Sequence, residues 1–179
     1  MPTLSAEGHS KEVYLVDAVP AGENHVGQVA TGGTIVSVTP VCDTSAYTAA
    51  DVLFPSTEVA GAVRVSGGKS VLETVCLLDE DDQAAAVINL FFLRSNVALG
   101  TANNAISISD ADARELIGWV SLAATDFADL IASRFACVRN VGLIVQPTTG
   151  TSIWVAGQCA GTPTQTASGI KLRLGFRYL

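Results

Sequence analysis

Short apolar runs at close, regular spacing are the feature that most constrains the fold of this chain. From residue 33 onward, strand-like segments alternate with turn signals such as Pro147-Thr148-Thr149-Gly150. The first of them, residues 34–39, has a period of two, which is typical of a strand with one buried face. The segments that we predict as strands are residues 34–39, 70–78, 86–94, 116–124, 134–138, 140–146, 151–160 and 169–178. Roughly eight strands at this spacing predict an all-β, antiparallel β-sandwich.

Two further elements complete the predicted organisation. Residues 1–32 are polar and interrupted by glycine, and they contain one strand-like piece, residues 12–19, that stops at Pro20. We interpret residues 1–32 as an extended N-terminal arm and residues 33–179 as the sandwich domain. One short helix is predicted over residues 109–115, because Ser109 can cap its N-terminus and Asp110 and Asp112 favour the positive end of the helix dipole.

The segment Arg64-Val65-Ser66-Gly67-Gly68-Lys69-Ser70 resembles a nucleotide-binding phosphate loop but lacks its pattern. A P-loop needs a first glycine five positions before the Gly-Lys pair, and Val63 stands there. A P-loop also opens a helix, whereas Val, Leu and Thr with strand character follow Ser70. The segment therefore predicts a turn before a strand and no ATP site.

Charge and composition exclude several classes of partner. The net charge is −7, and no basic stripe interleaved with aromatic residues is present, so we expect no nucleic-acid binding. No apolar run approaches the roughly 20 residues that span a bilayer, and residues 1–5 lack the order of a signal peptide. We therefore expect a protein that is made in the cytoplasm and does not associate with a membrane. The four cysteines are widely separated and form no Cys-x-x-Cys pair, which favours buried free thiols over disulfides or a metal site.

The last predicted strand shows the clearest alternation in the chain. Ile170, Leu172, Leu174, Phe176 and Tyr178 share one face, and Lys171, Arg173 and Arg177 share the other with Gly175. The basic face is either a solvated outer surface or a surface that docks on an acidic protein partner.

Catalytic patterns are weak. The only histidines, His9 and His25, lie in the predicted arm, where no rigid scaffold would hold a base beside a nucleophile. We read the acidic run at residues 79–82 as a solvated hairpin tip, since it lacks the ligand spacing of a calcium loop. The sequence thus assigns no catalytic, cofactor-binding or metal-binding residue, and predicts a protein that is not an enzyme and has no small-molecule substrate.

Two tryptophans allow a second interpretation. Trp119 and Trp154 each lie among apolar strand residues, where packing in the core or at an oligomer interface is the default. A sugar-stacking platform, as in a lectin-like module, is the alternative. Aromatic residues make up only 6% of the chain, which offers little for a broad carbohydrate face.

Five segments follow one another in a recognisable order and spacing. They are Ala46-Tyr47-Thr48-Ala49-Ala50-Asp51-Val52-Leu53, residues 64–72, residues 82–92, Ser107-Ile108-Ser109-Asp110-Ala111-Asp112 and Ala160-Gly161-Thr162-Pro163-Thr164. Taken together, they resemble a family of small structural proteins of tailed bacteriophages. The resemblance covers about residues 35–179, and the arm is unmatched. It implies a jelly-roll-like sandwich that serves as a capsid decoration, or cement, protein and that is typically a homotrimer on the outer surface of the virion.

This interpretation predicts which residues make contacts during assembly. An arm can reach a neighbouring subunit and pair by strand addition, and a basic strand face can meet an acidic surface. The predicted partners are the major capsid protein and further copies of the chain. The alternative function is a tail or host-binding, carbohydrate-binding virion protein. The predicted contact residues are Val13, Tyr14, Leu15, Lys171, Arg173 and Arg177.

Overall fold

The computed structural model describes residues 32–83 and 86–179, which form nine strands in two antiparallel sheets. The first sheet has the order β1-β9-β3-β7-β6 and the second the order β2-β8-β4-β5. The prediction of an all-β sandwich with one short helix is confirmed. The strands are β1 (Gly33–Val38), β2 (Val52–Val59), β3 (Ser70–Asp79), β4 (Ile88–Leu93), β5 (Leu116–Leu122), β6 (Phe127–Asp129), β7 (Arg134–Val145), β8 (Ile153–Cys159) and β9 (Ile170–Tyr178).

The strand pairing is nested. The first strand pairs with the last, β1 with β9, and moving inward along the chain β2 pairs with β8, β3 with β7 and β4 with β5. The β9–β3 and β8–β4 pairs then join these ladders into the two sheets. A long hairpin wound in this way, with β6 as a short addition, is the arrangement of a jelly roll.

The main core lies between the two sheets, and β9 shows how the sequence produces it. Ile170, Leu172, Leu174 and Phe176 are buried against the second sheet, as the alternation predicts. Lys171, Arg173 and Arg177 point to the opposite, outer side of the first sheet. The predicted division of β9 into an apolar and a basic face is therefore confirmed, while the role of its basic face stays a prediction.

A smaller apolar cluster covers part of the outer side of the second sheet. The β4–β5 connection folds back so that Val97, Leu99 and Ile106 pack near Leu93 and Ala156. Helix α1 (Asp110–Ala113) lies in this connection, and the Ser109 side chain accepts a hydrogen bond of 3.1 Å from Asp112 N–H, as the capping pattern predicts. No helix in the described ranges is both long and apolar enough to cross a membrane.

Strand β2 was not among the predicted strands, and Pro55 explains why. Proline donates no ladder hydrogen bond, so it argues against a strand in a sequence reading. Strand β2 lies at the edge of the second sheet, and an edge strand tolerates proline because one side of it needs no partner.

Strand β7 is one strand where the sequence predicts two, over residues 134–138 and 140–146. Between the pairs Leu72↔Leu143 and Thr74↔Arg139, β3 advances two residues while β7 advances four, which is a bulge of two extra residues. Asn140 (φ 59°) and Gly142 (φ 70°) adopt left-handed backbone there, a conformation that asparagine and glycine accept most readily. The predicted break is this bulge.

Candidate functional site

The outer side of the first sheet carries a groove at the end where β1 finishes. Ser37 and Thr39 form one wall, Leu78 and Phe135 supply apolar surface, and Lys171 and Arg173 of β9 lie between them. The groove has a volume of about 380 Å³. It crosses four neighbouring strands of one sheet, so the register of the sheet, and not any local motif, brings these residues together.

The basic face of β9 is less cationic than the sequence suggests. Lys171 Nζ lies 3.6 Å from a carboxylate oxygen of Glu80, and Arg177 Nε lies 2.8 Å from one of Glu73. Among the described residues, no carboxylate lies within 4.0 Å of Arg173. Exposed ion pairs of this kind contribute little stability, but they neutralise the charge that a partner meets. Arg173 is thus the basic residue of this face that has no carboxylate partner in the described part of the chain, so its charge is available to an acidic group.

The predicted arm contacts, Val13, Tyr14 and Leu15, lie outside the described residues. Their role therefore stays a prediction. Sequence reasoning missed Leu78 and Phe135, which lie on β3 and β7. The missing information was the register, which decides which outward residues of different strands become neighbours.

The cysteines correct one expectation and fit another. Cys76 and Cys137 are direct cross-strand partners in β3 and β7 and form a disulfide, where the sequence predicted free thiols. Their separation of 61 residues gave no indication of a pair until the register placed them opposite each other. Cys42 and Cys159 are buried free thiols, as predicted. Burial raises the pKa of Cys42 from 9.0 to about 12 and that of Cys159 to about 11.

We expect the native protein to show no rapidly reacting thiol at pH 8. The thiolate is the reactive form, and burial both raises the pKa values of Cys42 and Cys159 and blocks access to them. Titration with a chromogenic thiol reagent should detect two thiols per chain after unfolding and four after unfolding with reduction. Four thiols without a reductant would contradict the Cys76–Cys137 bond.

The acidic run at residues 79–82 is not the solvated tip that the sequence predicted. Asp79 is buried at the end of β3 and accepts hydrogen bonds from the N–H groups of Asp81 (3.0 Å) and Gln83 (3.2 Å). Asp81 in turn accepts a 2.7 Å hydrogen bond from Thr166 N–H in the β8–β9 connection. These carboxylates therefore join two loops. Within residues 32–83 and 86–179, no three His, Cys, Asp or Glu side chains converge as metal ligands would.

The two tryptophans lie on the outer side of the second sheet, not in the main core. Trp119 is 60% exposed and stacks beside Phe91, with ring centroids 6.3 Å apart and planes inclined by 21°. Trp154 is half-buried at the smaller apolar cluster. Trp119 faces outward because alternate residues of a strand point to opposite faces of the sheet. The core alternative is therefore excluded for Trp119, while the oligomer interface and the sugar-stacking platform stay predictions.

Comparisons with known proteins give no family. No family model and no curated protein matches the chain. Among solved structures, one from Desmodium yellow mottle tymovirus is 8% identical, with 99% of this chain and 95% of that chain covered and a TM-score of 0.28. The infectious bursal disease virus VP2 subviral particle is 14% identical, with 100% and 49% covered and a TM-score of 0.19. Likenesses this weak assign no function, and the jelly-roll description rests on the strand pairing.

Proposed function

We propose that this protein is a structural virion component that decorates the outside of a tailed-phage head as a trimer bound to the major capsid protein. The jelly roll suits such a role, although the same fold also carries lectin and enzyme sites, so the fold alone does not decide. The family resemblance of five ordered segments supports the decoration role over the tail and host-binding alternative. The proposal needs a surface that can hold another protein.

Strand β1 is the observation that carries the proposal. Its outer edge pairs with no described strand, and its sequence, Gly33-Thr34-Ile35-Val36-Ser37-Val38, contains neither a charge nor a proline. Proteins usually protect an exposed sheet edge with charged residues or proline, because an edge that lacks them can pair with other chains. Ile35 is 75% exposed on the outer face of this strand. An added strand from a partner would satisfy the backbone groups of β1 that pair with no described strand, and it would cover Ile35.

The groove beside β1 indicates what kind of chain would add. Leu78 and Phe135 offer apolar surface, and Arg173 offers a charge for a carboxylate. The predicted arm has the matching chemistry, because Glu12 and Asp17 flank the apolar residues Val13, Tyr14 and Leu15. In our proposal, the arm of one copy or a strand of the major capsid protein pairs with β1 and places a carboxylate near Arg173.

Co-sedimentation tests the function directly. The full-length protein is mixed with capsids of the same phage that lack it, and light scattering counts the subunits of the free protein. We expect saturable binding at a fixed ratio to the major capsid protein, by a trimer. A protein that sediments no better with capsids than alone would overturn the decoration proposal and favour the tail or host-binding role.

Arg173→Glu should weaken capsid binding or trimer formation about tenfold or more. The substitution replaces attraction to an acidic partner with repulsion, and desolvated charges at an interface have large effects on affinity. Arg114→Glu is the matched control, because Arg114 is exposed in the connection that covers the second sheet and undergoes the same change of charge. Equal effects of the two variants would show that net charge, and not the groove, governs binding.

A further inference from the structure

The outer side of the second sheet carries two parallel rows of side chains with different chemistry. Phe91 of β4 faces Trp119 of β5, and one step along the strands Asn89 faces Ser121. On its other side, β4 places Asn89 opposite Gln158 of β8. Residues two apart on a strand share a face, so an aromatic row and a polar row lie side by side. We call these five residues the platform.

The aromatic row is a stacked pair of rings in which Phe91 packs partly buried against the smaller apolar cluster and Trp119 is the exposed member. The rings of Phe91 and Trp119 are inclined by only 21°, and their centroids are 6.3 Å apart, so the rings are offset and do not cover each other completely. Trp119 remains 60% exposed in the described structure. The connection from β4 to β5 covers Leu93 and Ala156 on this side of the sheet but leaves the indole accessible.

The polar row is held in a fixed orientation and keeps unused hydrogen-bonding groups. Asn89 Nδ2 donates to Gln158 Oε1 (3.0 Å), and Gln158 Nε2 donates to the carbonyl oxygen of Ala50 (3.1 Å). These bonds fix both amides. Asn89 Oδ1 and Ser121 Oγ have no hydrogen-bond partner among the described residues. One is an acceptor and the other both donates and accepts, which is what a sugar hydroxyl requires.

We propose that the platform binds a neutral pyranose ring. An aromatic face packs against the C–H groups of a sugar, while amide and hydroxyl groups bind its hydroxyls, and a site of this composition gives orientation through a few placed polar groups. The platform contains no charged side chain, so it provides no counter-charge for an acidic or basic ligand. The platform residues lie on three adjacent strands, β5, β4 and β8, and neighbouring strands are about 4.8 Å apart. The width of the platform therefore suits one or two linked sugar units.

A second copy of the chain is the competing occupant. Strand β5 is an edge strand without charge or proline, so it also is open to strand addition. The sugar is favoured because the unused groups of Asn89 and Ser121 project from the face of the sheet, whereas strand addition uses the backbone at its edge. The platform goes beyond the capsid-binding role, because it lies on the opposite sheet from β1 and the groove.

The test is a titration of the full-length protein with neutral oligosaccharides: maltotriose, cellotriose, chitotriose and a galactose disaccharide. Tryptophan fluorescence and saturation-transfer NMR report binding, and light scattering follows the oligomeric state. We expect at least one of these probes to bind and to receive contacts from an indole. Trp119→Ala should weaken binding at least about tenfold, because it removes both the buried area and the ring contact. Asn89→Ala should weaken it less.

Trp154→Phe is the control, since Trp154 lies on the same side of the sheet but outside the platform. It should leave sugar binding within about twofold, and Trp119→Ala should leave capsid co-sedimentation unchanged. Absence of binding to all four probes, or equal losses in the two tryptophan variants, would overturn the proposal. A change of subunit number in Trp119→Ala without sugar binding would instead assign the platform to contact between copies. Failure of capsid binding alone would leave the platform intact.

Discussion

Phe54→Ala is expected to lower the free energy of unfolding by about 3–5 kcal/mol, the range for removing a large buried aromatic side chain. Phe54 is fully buried in the main core and is the cross-strand partner of Gly157 on β8. A Cβ atom placed on Gly157 would lie 2.7 Å from Cζ of Phe54, so the glycine makes room for the ring. Urea unfolding at neutral pH, followed by tryptophan fluorescence, measures the loss.

The Phe54–Gly157 contact also predicts a strong departure from additivity. Gly157→Ala alone should cost about 1–3 kcal/mol through overpacking against the ring. In the Phe54→Ala background the same change should cost little, since the obstructing ring is gone. Ser37→Ala, at an exposed position on β1, should stay within about 0.5 kcal/mol of the unmodified protein. Additive costs for the pair would show that Phe54 does not fill the space above Gly157.

The sequence predicts this fold best where one strand carries the whole pattern by itself. Strand β9 alternates strictly, so its buried and basic faces were assigned correctly from periodicity. Strand β2 was missed because Pro55 is read as a breaker, and its tolerance depends on the position of β2 at a sheet edge. Edge or centre is a property of the whole sheet, which no local window contains.

The candidate sites show the same limit. Lys171, Arg173 and Arg177 were found from alternation, but the ion pairs that neutralise two of them come from Glu80 and Glu73 on other segments. The sequence predicts one residue of the platform, because Trp119 is a possible sugar-stacking residue. Its partners Phe91 and Asn89 became apparent only through the β4–β5 and β4–β8 registers. To predict which side chains on different strands become neighbours, the strand pairing must be known. That pairing depends on the whole sequence and not on any short segment of it.

Loop contacts are the hardest feature to foresee, and Asp79 illustrates the reason. Four consecutive acidic residues normally indicate a solvated loop, yet Asp79 is only 5% exposed. Besides the two backbone N–H groups, Gln165 contributes a third donor: its amide is oriented with Nε2 3.2 Å from Asp79 Oδ1 and 2.7 Å from Asp81 Oδ2, since the reverse orientation would set oxygen against oxygen. Through these hydrogen bonds, the buried Asp79 holds the β3–β4 loop and the β8–β9 loop together at one end of the sandwich.

Asp79→Ala is expected to cost about 2–4 kcal/mol, because it leaves buried donors without an acceptor. The cost should depend on pH. Burial, the largest cause, raises the pKa of Asp79 above its ordinary value of 3.8 against the opposing effect of its hydrogen bonds. The folded protein then binds this proton more tightly than the unfolded chain does, so the stabilisation linked to the raised pKa is complete below about pH 3.8 and disappears as the pH rises through the folded-state value.

The difference in unfolding free energy between the unmodified protein and Asp79→Ala should therefore be larger at pH 4 than at pH 7. Urea unfolding at the two pH values measures it, and Asp110→Ala, at an exposed carboxylate in the first turn of α1, should cost well under about 1 kcal/mol. A cost for Asp79→Ala that grows from pH 4 to pH 7 would mean that hydrogen bonds to the carboxylate outweigh its burial. In that case Asp79 would act as a favourably bound anion that locks the two connections most firmly at neutral pH.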